Sequence, residues 1–233
     1  MKNILYYKFT KLSDLDNLRL EHEDICKSLG LFGKAVLSEE GINGCMSGEE
    51  DPINRYAEYI KIRYHIDSFD IKITDAKAHT FRKLWVKIKP QIINTKNWDA
   101  HVENTGKYME PEHLKKLLDT KEDIIIVDAR NNYEYETGHF ENAIFPNIRR
   151  FSNFHELARD LEKYKDKQIV TYCTGGIRCE KASAFLIENG FKNVNQLHGG
   201  IIRYAKKFGS EHWIGKCLVF DNRNELDMDE IKE

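Results

Sequence analysis

The sequence lacks three features, each of which would have indicated a particular class of protein. Its net charge is only −2 over 233 residues, which argues against a surface that wraps nucleic acid along its whole length, although a local basic patch is compatible with it. No apolar run approaches the roughly 18 residues of a membrane-spanning helix. The first residues, MKNILYYKFTKLSDLD, have too short an apolar core for a signal peptide. We therefore predict a soluble globular protein with no membrane partner.

The five cysteines also lack a recognisable pattern. They are odd in number and irregularly spaced, and no C-x-x-C pair occurs, so neither a disulfide framework nor a zinc site is predicted. Free thiols persist in a reducing compartment, which predicts a cytoplasmic location. No haem, flavin or non-haem iron motif is visible, so the residues themselves predict no metal and no cofactor.

The chain divides into regions that differ in their pattern of apolar and polar residues. Residues 1–92 alternate as strand, helix, two strands, helix and strand, the order of a ferredoxin-like split βαβ α+β domain. Residues 93–109 are polar and are predicted to be a linker. Across residues 110–220, apolar strands alternate with helices, which predicts a doubly wound α/β domain with a parallel sheet and a site at the strand C-termini. Residues 221–233 form an acidic tail.

Two local signals refine the first domain. Asn43-Gly44 is a strong tight-turn signal, and it predicts a hairpin whose return strand closes at Gly48. Further strands are predicted at residues 69–73 and 84–88, where apolar and polar side chains alternate.

The most basic stretch, residues 72–89, carries six basic side chains against one acidic one, with Phe81 and Trp85 among them. Basic groups bind phosphates and aromatic rings stack on unpaired bases, so this stretch is the best candidate for RNA contact. The alternative is a strand with a solvated basic face and its aromatic rings in the core. The candidate RNA contacts, two of them in the second domain, are Lys77, Arg82, Lys83, Trp85, Lys87, Arg149 and Arg150.

The stretch 168–181, QIVTYCTGGIRCEK, predicts a reactive thiol. An apolar strand ends at Cys173, a glycine pair bends the chain, and Arg178 begins a helix. Loop N–H groups, the positive helix end and the guanidinium all stabilise a thiolate. The alternative is an inert cysteine buried in an ordinary strand–turn–helix unit.

The spacing C-x4-R describes a loop sized for a single sulfur atom. Cysteine-dependent phosphatases use C-x5-R, so their oxyanion donors would be misplaced here, and phosphatase activity is not expected. Cys179, next to the loop, is either a resolving thiol or a cysteine packed under the helix. Asp128 and Arg130 are expected to brace the loop through hydrogen bonds.

Several motifs resemble those of a known family. Asp-x-Arg at 128–130, E-x-x-x-G-H at 134–139, the cysteine loop and the pair Gly199-Gly200 resemble a rhodanese domain. EEGING (39–44), CTGGIRCEK and LHGGI resemble, more narrowly, the YceA/TrhO group. That group is described as oxygen-dependent tRNA uridine hydroxylases, which make 5-hydroxyuridine at the wobble position.

This resemblance implies an enzyme that acts on the anticodon arm of tRNA with dioxygen as co-substrate. Cys173 would be its active-site cysteine, carrying a persulfide-type intermediate, and a sulfur-donor protein is a further candidate partner. The loop around this sulfur would be Thr174, Gly175, Gly176, Ile177 and Arg178. Family members commonly continue beyond this point into a cysteine-rich tail, whereas the present sequence stops at Glu233.

Two other functions stay open at this point. The cysteine loop alone predicts a sulfurtransferase that carries sulfane sulfur as a Cys173 persulfide. A catalytically idle rhodanese-like adaptor for RNA or protein is the third hypothesis. It ranks last because an idle module would tolerate loss of the cysteine, and here the loop is intact.

Overall fold

The computed structural model describes residues 1–67, 70–96 and 98–231, which belong to two compact units. The first unit is Met1–Ile93 together with Phe220–Arg223, and the second is Asn94–Val219 together with Asn224–Glu233. Among the described residues, no helix has both the length and the apolar character needed to cross a bilayer.

The first unit is built on one five-stranded sheet with the order β4-β1-β3-β2-β5. Neighbouring strands are antiparallel except β5, which runs parallel to β2. The order 4-1-3-2 confirms the ferredoxin-like prediction, and β5 adds an edge strand. Position 69 of the predicted strand 69–73 lies outside the described residues. The elements are β1 (Lys2–Phe9), α1 (Leu15–Ser28), β2 (Phe32–Ser38), β3 (Gly41–Gly48), α2 (Glu50–Tyr64), β4 (Lys72–Asp75) and β5 (Leu84–Ile88).

The turn predicted at Asn43-Gly44 is wrong. β3 already begins at Gly41, so the hairpin turn is Glu39-Glu40. Gly44 lies within the strand, where an added Cβ would come 2.1 Å from the hydroxyl of Tyr6. The glycine therefore allows a close approach across the sheet, which the turn statistics of an Asn-Gly pair do not reveal.

A hydrogen-bonded network lies in the core between this sheet and its helices. The Tyr56 hydroxyl is 2.7 Å from Nε2 of His22 and also contacts the Tyr6 hydroxyl, and the Tyr64 hydroxyl is 2.9 Å from Nδ1 of His22. All four side chains are at most 1% exposed. Burial lowers the pKa of His22 to about 4, so the ring is neutral near pH 7.

The second unit contains a parallel four-stranded sheet with the order β6-β10-β9-β7, which confirms the predicted α/β class. Its first elements are β6 (Lys107–Met109), α3 (Pro111–Asp119), β7 (Ile124–Asp128), α4 (Asn132–Thr137), β8 (Gly138–Phe140), α5 (Phe154–Asp160) and β9 (Gln168–Tyr172). The remaining ones are α6 (Ile177–Glu188), β10 (Asn193–Leu197), α7 (Gly200–Phe208), β11 (Trp213–Gly215), β12 (Cys217–Leu218), β13 (Glu225–Leu226) and α8 (Met228–Ile231).

Two segments have more structure than the sequence predicts. The end of the expected linker forms β6, which pairs with β10 as an edge strand, and Met109 enters the core. An edge strand tolerates polar side chains, so its amino-acid composition resembles that of a linker. The expected acidic tail forms β13 and α8, and Met228 and Ile231 pack in the same core. Two apolar side chains among many acidic ones give too short a pattern to indicate a helix.

Candidate active site

The cysteine loop lies between the end of β9 and the start of α6. Cys173 follows Tyr172 directly and is 1% exposed. Gly176 has a φ of +103°, a backbone conformation that favours glycine, and its N–H donates to Cys173 Sγ over 3.1 Å. The glycine therefore turns a backbone donor onto the sulfur just before the helix begins.

The surroundings of Cys173 favour its thiolate. Burial raises the pKa, but this is outweighed by a hydrogen bond from the Cys179 thiol, the positive charge of Arg178, and the N–H groups of Arg178 and Gly176. The net effect lowers the pKa of Cys173 to about 6. A sulfur with this pKa is mostly ionised near pH 7, which is the state that attacks an electrophile.

A second glycine pair fixes the loop from the other side. Gly200 begins α7, and a Cβ on it would lie 2.4 Å from the carbonyl oxygen of Cys173. The N–H groups of Ile201 and Ile202 donate to the carbonyl oxygens of Cys173 and Thr174 over 3.0 and 3.1 Å. The first turn of α7 thus holds the loop, and this contact requires a glycine at position 200.

Arg178 is held by Glu134. Its Nη1 and Nη2 donate to the two carboxylate oxygens over 2.7 and 2.8 Å, and both side chains are almost fully buried. Burial raises the pKa of Glu134, but the charges of Arg178 and Arg130 outweigh this and lower it. In the sequence, Glu134 stands out only as the first residue of the motif E-x-x-x-G-H. The pattern Asn131-x-x-Glu134, a capping box for α4, was the available signal.

Asp128 and Arg130 form a second buried ion pair. The Arg130 Nη2 donates to Asp128 Oδ2 over 2.7 Å and to the Gly138 carbonyl over 2.6 Å. Asp128 also accepts the Tyr172 hydroxyl over 2.6 Å, and Tyr172 is the residue before Cys173. Bracing of the loop stays a prediction, and this contact is the route by which it would act.

Together these groups form a buried series of alternating charges. In order they are the Cys173 thiolate, Arg178, Glu134, Arg130 and Asp128. Each buried charge has one of opposite sign beside it, which offsets part of the cost of burying it.

The rim of the sheet carries a histidine that the sequence shows only as part of the motif LHGGI. His198 follows β10, the neighbour of β9, and its Nδ1 is 2.6 Å from Glu110 Oε1. Arg203 Nη2 is 2.6 Å from the other oxygen of Glu110, and the His198 ring lies 4.8 Å from that of Tyr108. The only signal was the position of His198 immediately before the glycine pair.

The other predicted site residues lie in different places. Cys179 is fully buried beside Cys173. Phe81 is 6% exposed, so its ring lies in the interior, as the alternative interpretation of the basic stretch predicted. In the described ranges no three His, Cys, Asp or Glu side chains are grouped to hold a metal ion. The RNA-contact candidates are all exposed, and they are Lys77, Arg82, Lys83, Trp85 and Lys87 in the first unit and Arg149 and Arg150 in the second.

Comparison with known proteins places relatives along nearly the whole chain. Residues 1–92 match the model of the UPF0176 acylphosphatase like domain, and residues 110–207 match the rhodanese-like domain. A protein of Cytophaga hutchinsonii named tRNA uridine(34) hydroxylase is 42% identical over 98% of this chain and 73% of its own length. Proteins of the same name from Enterococcus faecalis and Staphylococcus haemolyticus are 42% and 41% identical, covering 98% and 99% of this chain and 73% of theirs.

A solved structure, the rhodanese-like domain of an Anabaena protein, is 24% identical and covers 48% of this chain and 80% of its own, with a TM-score of 0.40. This overlap is too limited to add to the sequence matches.

Proposed function

The chain belongs to the tRNA uridine(34) hydroxylase family, and we infer from this membership that it hydroxylates uridine 34, the wobble position of tRNA. It is therefore a tRNA-modifying oxidoreductase. We further propose that it contacts the anticodon arm, where this uridine lies unpaired, and that it works in the cytoplasm.

We propose Cys173 as the catalytic nucleophile, and one observation carries this assignment. Its pKa of about 6 contrasts with those of Cys26, Cys45 and Cys217, which burial raises to about 12. Cys173, Cys26 and Cys217 are all at most 1% exposed. Burial therefore does not distinguish them, and the donors around Cys173 do.

The depth of the sulfur supports a persulfide. A second sulfur bonded to Cys173 would extend the reactive atom by about 2 Å beyond a side chain that is otherwise buried. The terminal sulfur would carry the negative charge, and the loop N–H groups are the donors that would stabilise it.

Dioxygen is the proposed co-substrate. Hydroxylation at C5 of uridine places one oxygen atom on the base, and the other leaves as water when two electrons and two protons are supplied. Arg178 is already bound at both terminal nitrogens by Glu134, so its proposed role is to hold the thiolate, not to bind a substrate anion. Burial and the neighbouring Cys173 raise the pKa of Cys179, so its thiol stays protonated, and its proposed role is to donate a hydrogen bond to the Cys173 sulfur.

A sulfurtransferase is the second candidate, because the cysteine loop by itself offers N–H donors to one sulfur atom. In that reaction a donor, either thiosulfate or a protein persulfide, would pass sulfane sulfur to Cys173. An idle adaptor is disfavoured, since a lowered cysteine pKa serves no binding role.

The test is deletion of the gene followed by mass spectrometry of bulk tRNA nucleosides. We expect loss of 5-hydroxyuridine-derived nucleosides, restoration by the wild type and by Cys26→Ser, and no restoration by Cys173→Ser. Unchanged nucleosides after deletion would refute hydroxylation, and loss of a thiolated nucleoside instead would support the sulfurtransferase. Restoration by Cys173→Ser would remove the thiol from the mechanism.

A further inference from the structure

We propose that a groove on the first unit binds an unpaired nucleotide of the RNA substrate, with its base on Trp85 and its phosphate near Arg82 and Lys83. The identity of this RNA as tRNA rests on the proposed function. The groove lies entirely within the first unit and has a volume of about 370 Å³. This is within the size range of small-molecule sites, roughly 300–1,000 Å³, so a single nucleotide fits.

The groove is built on the sheet face that the two helices leave open. β5 alternates, so Val86 packs in the core shared with the helices while Trp85 and Lys87 lie on the opposite face. In the parallel register of β2 and β5, Lys34 is paired with Trp85. A cation and an exposed ring therefore stand side by side on adjacent strands.

The returning segment Phe220–Arg223 supplies another wall of the groove. The Asn222 N–H donates to the Thr80 carbonyl over 2.9 Å, and Arg223 Nη1 donates to the Asp75 carbonyl over 3.1 Å. These two contacts, one from the backbone and one from a side chain, fix the segment against the sheet, so the groove is preformed.

Two aromatic rings face solvent here. Trp85 is 47% exposed and Phe220 is 53% exposed, whereas the other two tryptophans, Trp98 and Trp213, are under 10%. Bases of any sequence stack on such rings. Lys87 Nζ is 4.5 Å from the Trp85 ring centroid, and an exposed cation–π contact is weak enough for a base to displace.

The exposed charge of the groove is positive. Lys34, Arg82 and Lys83 line it, and in the described part of the chain neither Arg82 nor Lys83 pairs with a carboxylate. The one acidic residue in the lining, Asp221, has a side chain that is only 2% exposed and binds Arg223 through both oxygens. Its charge is thus compensated, and a phosphate meets only cations.

Charge alone would also suit an acidic protein surface. The two exposed rings favour RNA, because carboxylate side chains gain nothing from a flat aromatic platform whereas bases do. Proteins that share this sheet topology can read single-stranded RNA with aromatic side chains of the open sheet face.

The test compares matched variants of the full chain. Arg82→Glu is paired with Arg55→Glu, an exposed arginine on α2, and Trp85→Leu is paired with Ile62→Ala, an exposed apolar residue on the same helix. The probes are an anticodon stem-loop and a short oligouridylate, with polyglutamate as a competitor of equal charge. Affinity is measured over a range of salt, and quenching of tryptophan fluorescence reports stacking.

We expect Trp85→Leu to weaken binding roughly ten-fold and to abolish the quenching, because the remaining tryptophans are buried. Arg82→Glu should weaken binding at least as much and reduce the salt slope by about 0.7 or more, the value for one single-strand phosphate contact. The paired controls should leave both quantities unchanged.

Equal affinities in Arg82→Glu and Arg55→Glu would overturn the proposal. So would displacement by polyglutamate as readily as by oligouridylate, which would instead indicate a docking surface for an acidic protein. A loss with Arg82→Glu but none with Trp85→Leu would refute the stacking. These outcomes are independent of the proposed function, which fails if the gene deletion leaves the 5-hydroxyuridine-derived nucleosides of tRNA unchanged.

Discussion

Each unit of this protein buries a polar network, and the two networks have opposite effects on ionisation: one favours the neutral form of its titratable group and the other the charged form. In the first unit, three tyrosine hydroxyls surround His22, and burial keeps the ring neutral with a pKa of about 4. In the second unit, Cys173, Arg178 and Glu134 are equally buried, yet the pKa of the cysteine falls to about 6.

The difference lies in the signs of the neighbours. The hydroxyl groups around His22 offer hydrogen bonds but no counter-charge, so desolvation suppresses the charged form. Around Cys173, a guanidinium and N–H donors overcome the same desolvation. Burial therefore favours the neutral form of an ionisable group unless opposite charges are buried with it. The second unit contains such compensating charges, and it therefore holds the reactive thiolate.

The largest expected effect is the difference in thiolate fraction between Cys173 and the other buried cysteines, which predicts selective alkylation of Cys173. Cys26 and Cys217 are buried to the same extent but have pKa values raised to about 12 by burial, so their thiolate fractions near pH 7 are about 10⁵ smaller. Their higher intrinsic nucleophilicity recovers part of this, which leaves Cys173 roughly a hundred-fold faster. Iodoacetamide labelling followed by peptide mass spectrometry measures the rates. Equal alkylation rates for the three cysteines would contradict the difference in their pKa values.

Next in size is the loss of stability in Glu134→Gln. The substitution leaves the Arg178 guanidinium buried without its carboxylate, so we expect the free energy of unfolding of the second unit to fall by about 3–5 kcal/mol. Glu21→Gln is the matched control, because its ion pair with Arg63 is exposed and should cost under about 1 kcal/mol. Amide hydrogen exchange in β9 and β1 reports each unit separately. Similar small losses in both variants would contradict the charge series.

A third test uses pH. The pKa of His22 is lowered by folding from 6.5 to about 4, so the unfolded chain binds its proton first. Stability from this residue is therefore present above pH 6.5 and is lost as the pH falls toward 4, by about 3 kcal/mol in total. Exchange protection of β1 should follow this window in the wild type and lose that dependence in His22→Gln. The lowered pKa of Glu134 acts at more acidic pH, so β9 should stay protected over most of the window.

The smallest expected effect is that of Arg178→Lys. Lysine keeps the charge but not the planar fork that binds both oxygens of Glu134, so the pKa of Cys173 should rise by about one unit. The pH dependence of alkylation at Cys173 measures the change. Arg63→Lys in the first unit, which alters an exposed bidentate pair, should leave that profile in place. A larger shift in the control would show that the effect is not local.

Features encoded within a few residues were predictable from the sequence. β5 has the predicted bounds 84–88, and the strand, glycine pair and helix around Cys173 appear as expected, because each signal is local. The thiolate character of Cys173 could be predicted from the loop and Arg178 alone. The assignment of the turn failed because the need for Gly44 arises from Tyr6, which lies on another strand.

Features assembled from distant positions were not predictable. The partner of Arg178 is 44 residues away, that of His198 is 88 residues away, and Lys34 and Phe220 share the groove across 186 residues. A single sequence carries no signal for such pairs, since side-chain periodicity indicates which face a residue occupies but not which residue it contacts there.

The segment Phe220–Arg223, which returns to the first unit, has a consequence for folding during synthesis. Asn3, one of the first residues to leave the ribosome, is 3% exposed and donates to Asp221 over 3.1 Å. At ~5–20 residues per second, synthesis of the stretch between the end of the first unit's main segment and this return takes on the order of ten seconds. During that interval all five strands of the first sheet have been synthesised, but Phe220–Arg223 is not yet available to pack on its open face. The first unit is therefore the first to begin folding and among the last to finish.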